Sequence, residues 1–235
     1  MLKSYVGRVA YDIRVASAPR PQIVFPQHLC RLKRRSELPA DAVSLVKNIV
    51  GGDYKVEKDV IKFISNKRGK NRYEIPLYLA SSLVCGMPGL YFYLKHSAEK
   101  GDLLIIDEPE SYLSPSNQML ITRLLALCVN SGVKVLITTH SDYIVKEIDN
   151  LIMLHQDFEG KQEFLKKYKK EYTEKDHLDP ASVRAYVCEN SGLSACDIDE
   201  RGIKEMSVFD DVIDDINLIS EELNIYTNVD TVEDD

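Results

Sequence analysis

Two carboxylates stand where an apolar run ends. In 103-LLIIDEPESYLSP-115 four apolar residues lead directly into Asp107 and Glu108, and Pro109 breaks the pattern. Thirty-two residues beyond Glu108, 133-VKVLITTHSD-142 repeats the arrangement and places His140 at the end of a second apolar run. Such runs read as strands of a parallel sheet covered on both faces. Between them Leu120, Leu124, Leu127 and Cys128 recur at helical spacing over 116–130, and Ser131-Gly132 stops the helix. This order constrains the chain to an α/β fold. A crossover helix returns the second strand parallel to the first and leaves both carboxyl ends on one edge, where open α/β sheets bind ligands.

The flanking sequence extends the pattern. Residues 41–52, DAVSLVKNIVGG, read as a short amphipathic helix ended by Gly51-Gly52. Residues 54–65, YKVEKDVIKFIS, alternate as a hairpin with Lys58-Asp59 near its turn, and 66-NKRGKNR-72 is a polar loop. After EIPLYLASS a helix is expected from Ser81 or Ser82 as N-cap, despite Gly86, Pro88 and Gly89. Ser141 can cap a short helix over 142–148, and LIML, 151–154, reads as a third strand. Residues 159–179 are a charged helix or loop, ASVRAYVCEN a further strand, and 207–226 an amphipathic helix packed on the domain with its acids in solvent. The composition divides the chain into an irregular N-terminal lobe or connector (1–73), an α/β core half (74–156) and a charged C-terminal segment that completes the domain (157–235).

Charge is uneven. Over residues 1–72, 16 Lys and Arg face 6 Asp and Glu, with a basic cluster at 31-RLKRR-35, whereas 207–235 hold 10 acids and neither Lys nor Arg. The basic part suits nucleic acid, or equally forms a solvated face that complements the acidic tail. The five cysteines are odd in number and make no CxxC pair, and the histidines make no HxxxH pair. That points to reduced thiols in a cytoplasmic protein without a transition-metal site. No apolar run approaches the roughly 18 residues that span a membrane, and MLKSYVGRVAYDIR lacks the apolar stretch of a secretory signal.

At the strand edge, Asp107 can hold magnesium through water, Glu108 can activate an attacking water, and His140 can contact a terminal phosphate. With these residues in view, the chain resembles the C-terminal half of an ABC-type ATP-binding domain, and more closely the AAA-family ATPases related to the overcoming-lysogenization-defect proteins. LLIIDEPESYLSP is similar to that family's Walker B strand and D-loop, LITTHSDYIV to its H-switch strand, and IPLYLASS with the following helix to its degenerate signature segment. The best match covers 74–154; weaker similarity runs from about residue 41 to about 226. The resemblance implies a partial ABC-type P-loop NTPase fold, with a parallel sheet flanked by helices and an irregular N-terminal lobe. It implies ATP and Mg2+ as ligands, Asp107 on the magnesium side, Glu108 polarising the water, and His140 sensing the γ-phosphate. It further implies that Ser114 to Gln118 meet a partner subunit, and that Ser81 and Ser82 face the γ-phosphate held by that subunit. Ser114 stands where the family commonly has histidine, and Leu83 where a glycine often follows the signature serine.

The 235 residues contain no GxxxxGK[ST] loop; the Gly-Lys pairs in RGKNR and EGKQE lack the required neighbours. The expectation is therefore a family member without its phosphate-loop portion, weak or inactive as an ATPase by itself. It would work as a homodimer or with a Walker A-bearing polypeptide, coupled to nucleic acid or an effector protein in phage defence or DNA maintenance. The alternative is a non-catalytic remnant that keeps the fold and binds a partner. A nuclease is a third reading, but residues 157–235 offer only 196-CDIDERG-202, which reads as a loop.

Overall fold

The structure, a computed structural model, describes residues 36–189, 192–204 and 217–226. The cluster 31-RLKRR-35 and much of the expected 207–226 helix lie outside the described residues. The chain forms two compact units, 1–178 and 179–235.

In the first unit, helix α1 (Ala40–Val50) buries Ala42, Val46, Ile49 and Val50, a stripe at helical spacing. Gly51 ends it at φ 67°, donating its amide to Asn48 and Lys47 carbonyls; a left-handed cap of this kind favours glycine. Strands β1 (Gly52–Glu57) and β2 (Val60–Ser65) form the expected hairpin. Its two turn residues, Lys58 and Asp59, have φ 48° and 64°, the mirror-image turn whose twist suits a two-residue hairpin. Strand β3 (Glu74–Pro76) pairs antiparallel with β2. The inward aromatics Tyr54 and Phe63 are buried, and the Tyr54 hydroxyl donates to the Val84 carbonyl at 2.7 Å, tying this sheet to the helices that follow.

Those helices are two, not one. Ser81 caps α2 (Ser82–Gly86), and α3 (Pro88–His96) starts again with Pro88 in its first turn. Proline fits a first helical position but has no amide for a helix interior, so the segment breaks at Met87. Tyr91, Phe92 and Leu94 bury the inner face of α3.

Strand β4 (Leu103–Asp107) and β5 (Lys134–Thr138) are parallel, joined by α4 (Pro115–Asn130), in a register that sets Asp107 opposite Thr138. One face of this pair, Leu104, Ile106, Val135 and Ile137, joins the core that also holds α1, β1 and α3. The other face is open: Leu103 is 37% exposed and Leu136 55%. Expectation and structure differ here, since among the described residues only one layer covers the two strands. Helix α4 packs against α1, β5 and α5. It buries Ile121 through Ala126 and Cys128, more of its circumference than the apolar positions alone indicate.

Helix α5 (Asp142–His155) replaces the expected short helix and third strand. The Ser141 hydroxyl caps it by accepting from Ile144, and Ile144, Val145, Leu151, Ile152 and Leu154 are buried along it. A four-residue apolar run carries no period of its own, and here the preceding helical pattern continues through it. Helix α6 (Lys161–Lys167) follows, with Leu165, Tyr172 and Phe164 packed on Leu154. The second unit holds two small antiparallel pairs, β6 (Tyr186–Glu189) with β7 (Gly192–Ala195) and β8 (Ile198–Asp199) with β9 (Gly202–Ile203), and a helix over 217–226. In that helix Leu218, Ile219 and Leu223 are exposed.

Candidate functional site

The parallel register brings the two sequence features to one edge. Asp107 and Glu108 leave β4 beside Thr138, Thr139 and His140 leaving β5. The Thr138 hydroxyl donates to Asp107 Oδ1 and accepts from the Glu108 amide, which also bonds the Thr138 carbonyl at 3.1 Å. One oxygen of Asp107 is thereby fixed and the carboxylate oriented. His140 Nε2 lies 3.8 Å from Glu108 Oε1, with the imidazole 84% and the carboxylate 51% exposed. An exposed acid and imidazole at this separation can both reach a group that docks on the edge.

Glu108 has φ 48°. A non-glycine residue in this left-handed region carries backbone strain of about 1–3 kcal/mol, a cost that concentrates at functional positions. The turn after it is held by Ser111 N–H to the Glu108 carbonyl at 3.0 Å and Leu113 N–H to the Glu110 carbonyl at 2.9 Å. Buried Leu113 anchors the loop, while Tyr112 is 62% exposed.

Glu110 escaped the sequence reading. Its Oε1 accepts from the His140 amide at 2.6 Å and the Thr139 hydroxyl at 2.9 Å, so it holds the loop that carries His140. Its Oε2 is buried without a hydrogen-bond partner among the described residues. The only sequence signal was its place two residues after Glu108. Thr138 and Thr139 were likewise within a quoted motif but without an assigned role.

Gln118 is engaged within the chain: its oxygen accepts from the Ser141 hydroxyl at 2.5 Å and its amide donates to the Leu113 carbonyl at 3.1 Å. It thus links the start of α4 to the cap of α5. Ser114 is the exposed N-cap residue of α4, its hydroxyl 3.1 Å from that of Ser116. Ser81 and Ser82 are exposed at the start of α2, where the Ser81 hydroxyl accepts from Val84. No hydrogen bond or ion pair among the described residues joins either serine to Asp107, Glu108 or His140. The site as built by one chain is therefore Asp107, Glu108, Glu110, Thr138, Thr139 and His140.

The donor set suits magnesium: two solvent-facing carboxylates at the carboxyl edge of a parallel pair supply hard oxygen ligands. It does not supply the backbone amides and lysine that hold β- and γ-phosphates. No cluster of three or more His, Cys, Asp or Glu that could hold a metal by side chains alone occurs among the described residues. Nor is any helix among them long and apolar enough to cross a membrane.

Residues 9–146, more than half of the chain, match the protein family described as "AAA domain, putative AbiEii toxin, Type IV TA system". The matched span includes both strand ends of the site. No curated protein matches the chain.

Proposed function

The chain belongs to this AAA domain family, and from that membership we propose that it supplies the hydrolytic half of an ATPase site that is completed by another polypeptide. The observation that carries the reading is the pairing of Asp107 and Glu108 with His140 across one parallel register. The family implies a P-loop NTPase fold and nucleotide binding. Asp107, oriented by Thr138, would hold Mg2+ through water. Magnesium, when bound, shields phosphate oxygens as charge develops on them. Glu108 orients the attacking water and takes its proton, and His140 donates to the terminal phosphate. Glu110 holds the His140 loop in place. The β- and γ-phosphates need a phosphate loop that is not among these 235 residues, and a Walker A-bearing segment would supply it. In a nucleotide-gated dimer Ser81, Ser82 and Ser114 lie on the surfaces that meet the other subunit. The family description supports a setting in toxin–antitoxin function, and phage defence or DNA maintenance is the role proposed.

The test is co-expression with the product of a neighbouring reading frame that encodes GxxxxGK[ST], followed by measurement of ATP turnover. The pair is expected to turn over ATP and the chain alone to stay near background. Glu108→Gln should reduce the pair's rate by about 10²–10⁴-fold, the range for loss of a general base. Robust turnover by the chain alone, or by a pair carrying Glu108→Gln, overturns the reading. A second reading, a non-catalytic partner-binding remnant, is favoured by the open face at Leu103 and Leu136. It predicts a stable complex without turnover.

A further inference from the structure

The loop 66-NKRGKNR-72 has no part in the nucleotide site, yet it carries four cations in seven residues and no acid. Its base is pinned. Ser65 donates its amide to the Tyr73 carbonyl at 3.0 Å, the Tyr73 amide bonds the Ser65 hydroxyl at 3.1 Å, and Asn66 bonds the Gly51 carbonyl at 3.0 Å. Gly69, at φ 66°, opens a tight 3-10 turn over Gly69–Asn71 that folds the loop back.

The loop, the end of α1 and the start of β1 enclose an open concavity of about 490 Å³, walled by Lys47, Lys67, Arg68, Arg72 and Asp53. Asp53 does not neutralise it. Its carboxylate is bound by Lys47 at 2.6 Å and also accepts from the Tyr91 hydroxyl and the Tyr54 amide. Burial pushes its carboxyl up, but Lys47, Tyr91 and Tyr54 outweigh this and hold it below the usual carboxylate range. Lys47 and Asp53 thus satisfy each other. Lys67, Arg68 and Arg72 are exposed and make no ion pair with any described residue. Three unpaired cations around one depression repel each other and raise a positive potential there, which an anion relieves.

The chemistry narrows the anion. The residues that line it are charged, polar or glycine except Ile64, and none is aromatic. The cations are spread along six residues of one open loop, which suits a string of charges better than a single one. Arginine's planar fork matches phosphate oxygens. Tyr73, next to Arg72 and 45% exposed, offers a ring face beside the cations, as single-strand binders do.

We propose that this concavity binds the phosphodiester backbone of a nucleic acid through Lys67, Arg68 and Arg72. The assignment is independent of the ATPase reading, since none of these residues touches Asp107, Glu108 or His140. It is tested with the full 235-residue chain and a fluorescein-labelled oligonucleotide, single-stranded and duplex, by anisotropy between about 50 and 200 mM salt, where each duplex phosphate contact contributes about 0.9 to the log–log slope. Arg68→Ala with Arg72→Ala should lower the duplex slope by about 1.8, and Lys67→Ala by about 0.9 more. Arg68→Lys with Arg72→Lys, which keeps the charge, should retain the slope and so separate lost contacts from lost folding. An unchanged slope in the alanine variants overturns the proposal. So does equal affinity for poly-glutamate, which would assign the surface to an acidic protein, or displacement of the oligonucleotide by millimolar ATP, which would make it a mononucleotide site.

Discussion

Removing the charge of Glu147 should unfold this protein more readily than any change at its surface. Glu147 lies in α5 and Arg123 in α4, with side chains 1% and 6% exposed and Nε to Oε1 at 2.5 Å. The second carboxylate oxygen accepts from the Tyr172 hydroxyl at 2.9 Å and from Asn150 at 3.2 Å. The guanidinium lies 4.2 Å from the Tyr172 ring centre and donates to the Glu171 carbonyl. Burial alone would lower the Arg123 pKa, but the hydrogen bond and charge of Glu147 dominate and raise it. Glu147→Gln leaves the guanidinium buried without its counter-charge, a loss of about 3–5 kcal/mol. At about 2–4 °C per kcal/mol for a unit of this size, the melting temperature should fall by roughly 6–20 °C. Urea unfolding should show a lower midpoint at an unchanged slope. The paired replacement Arg123→Met with Glu147→Leu should recover most of the loss, because no unpaired charge remains. A Glu147→Gln cost below about 1 kcal/mol, the range of exposed pairs, or a double variant no better than the single one, would refute the reasoning.

Two further outcomes follow from the geometry. Glu108→Gly relieves the left-handed strain at φ 48° and should raise stability by about 1 kcal/mol while abolishing turnover in a completed ATPase; a destabilised variant in thermal melts would count against strain at this site. Burial pushes the His177 imidazole below its ordinary value, with His155, 3.4 Å away, and Lys161 adding to the shift. The folded chain therefore favours the neutral ring, while the unfolded chain takes a proton near pH 6.5. The stability contribution is complete above that pH and is lost as pH falls through the lower folded value. Melts across this window should show the decline, and His177→Gln should flatten it.

Local chemistry is what the residue order states openly. Gly51 ends α1, Lys58-Asp59 turns the β1–β2 hairpin, and Ser81 and Ser141 start helices, because each effect depends on neighbours a few residues away. The strand–helix–strand order around α4 was legible for the same reason. It also put the strand ends that carry Asp107, Glu108 and His140 on one edge, since a crossover helix returns the second strand parallel to the first, while the register that pairs Asp107 with Thr138 came from the structure. Contacts between distant residues left no such mark. Nothing in the order of residues distinguishes Glu110, which holds His140, from an ordinary loop acid. Arg123 and Glu147 read as solvated charges until α4 and α5 pack together. LIML was compatible with strand or helix, and packing in α5 decided it. Sequence by itself thus determined the local elements and the edge at which the acids and histidine converge. Tertiary structure decided which polar groups are buried, which face of the β4–β5 pair stays open and which cations are left unpaired, because burial and charge pairing depend on what the rest of the chain brings alongside.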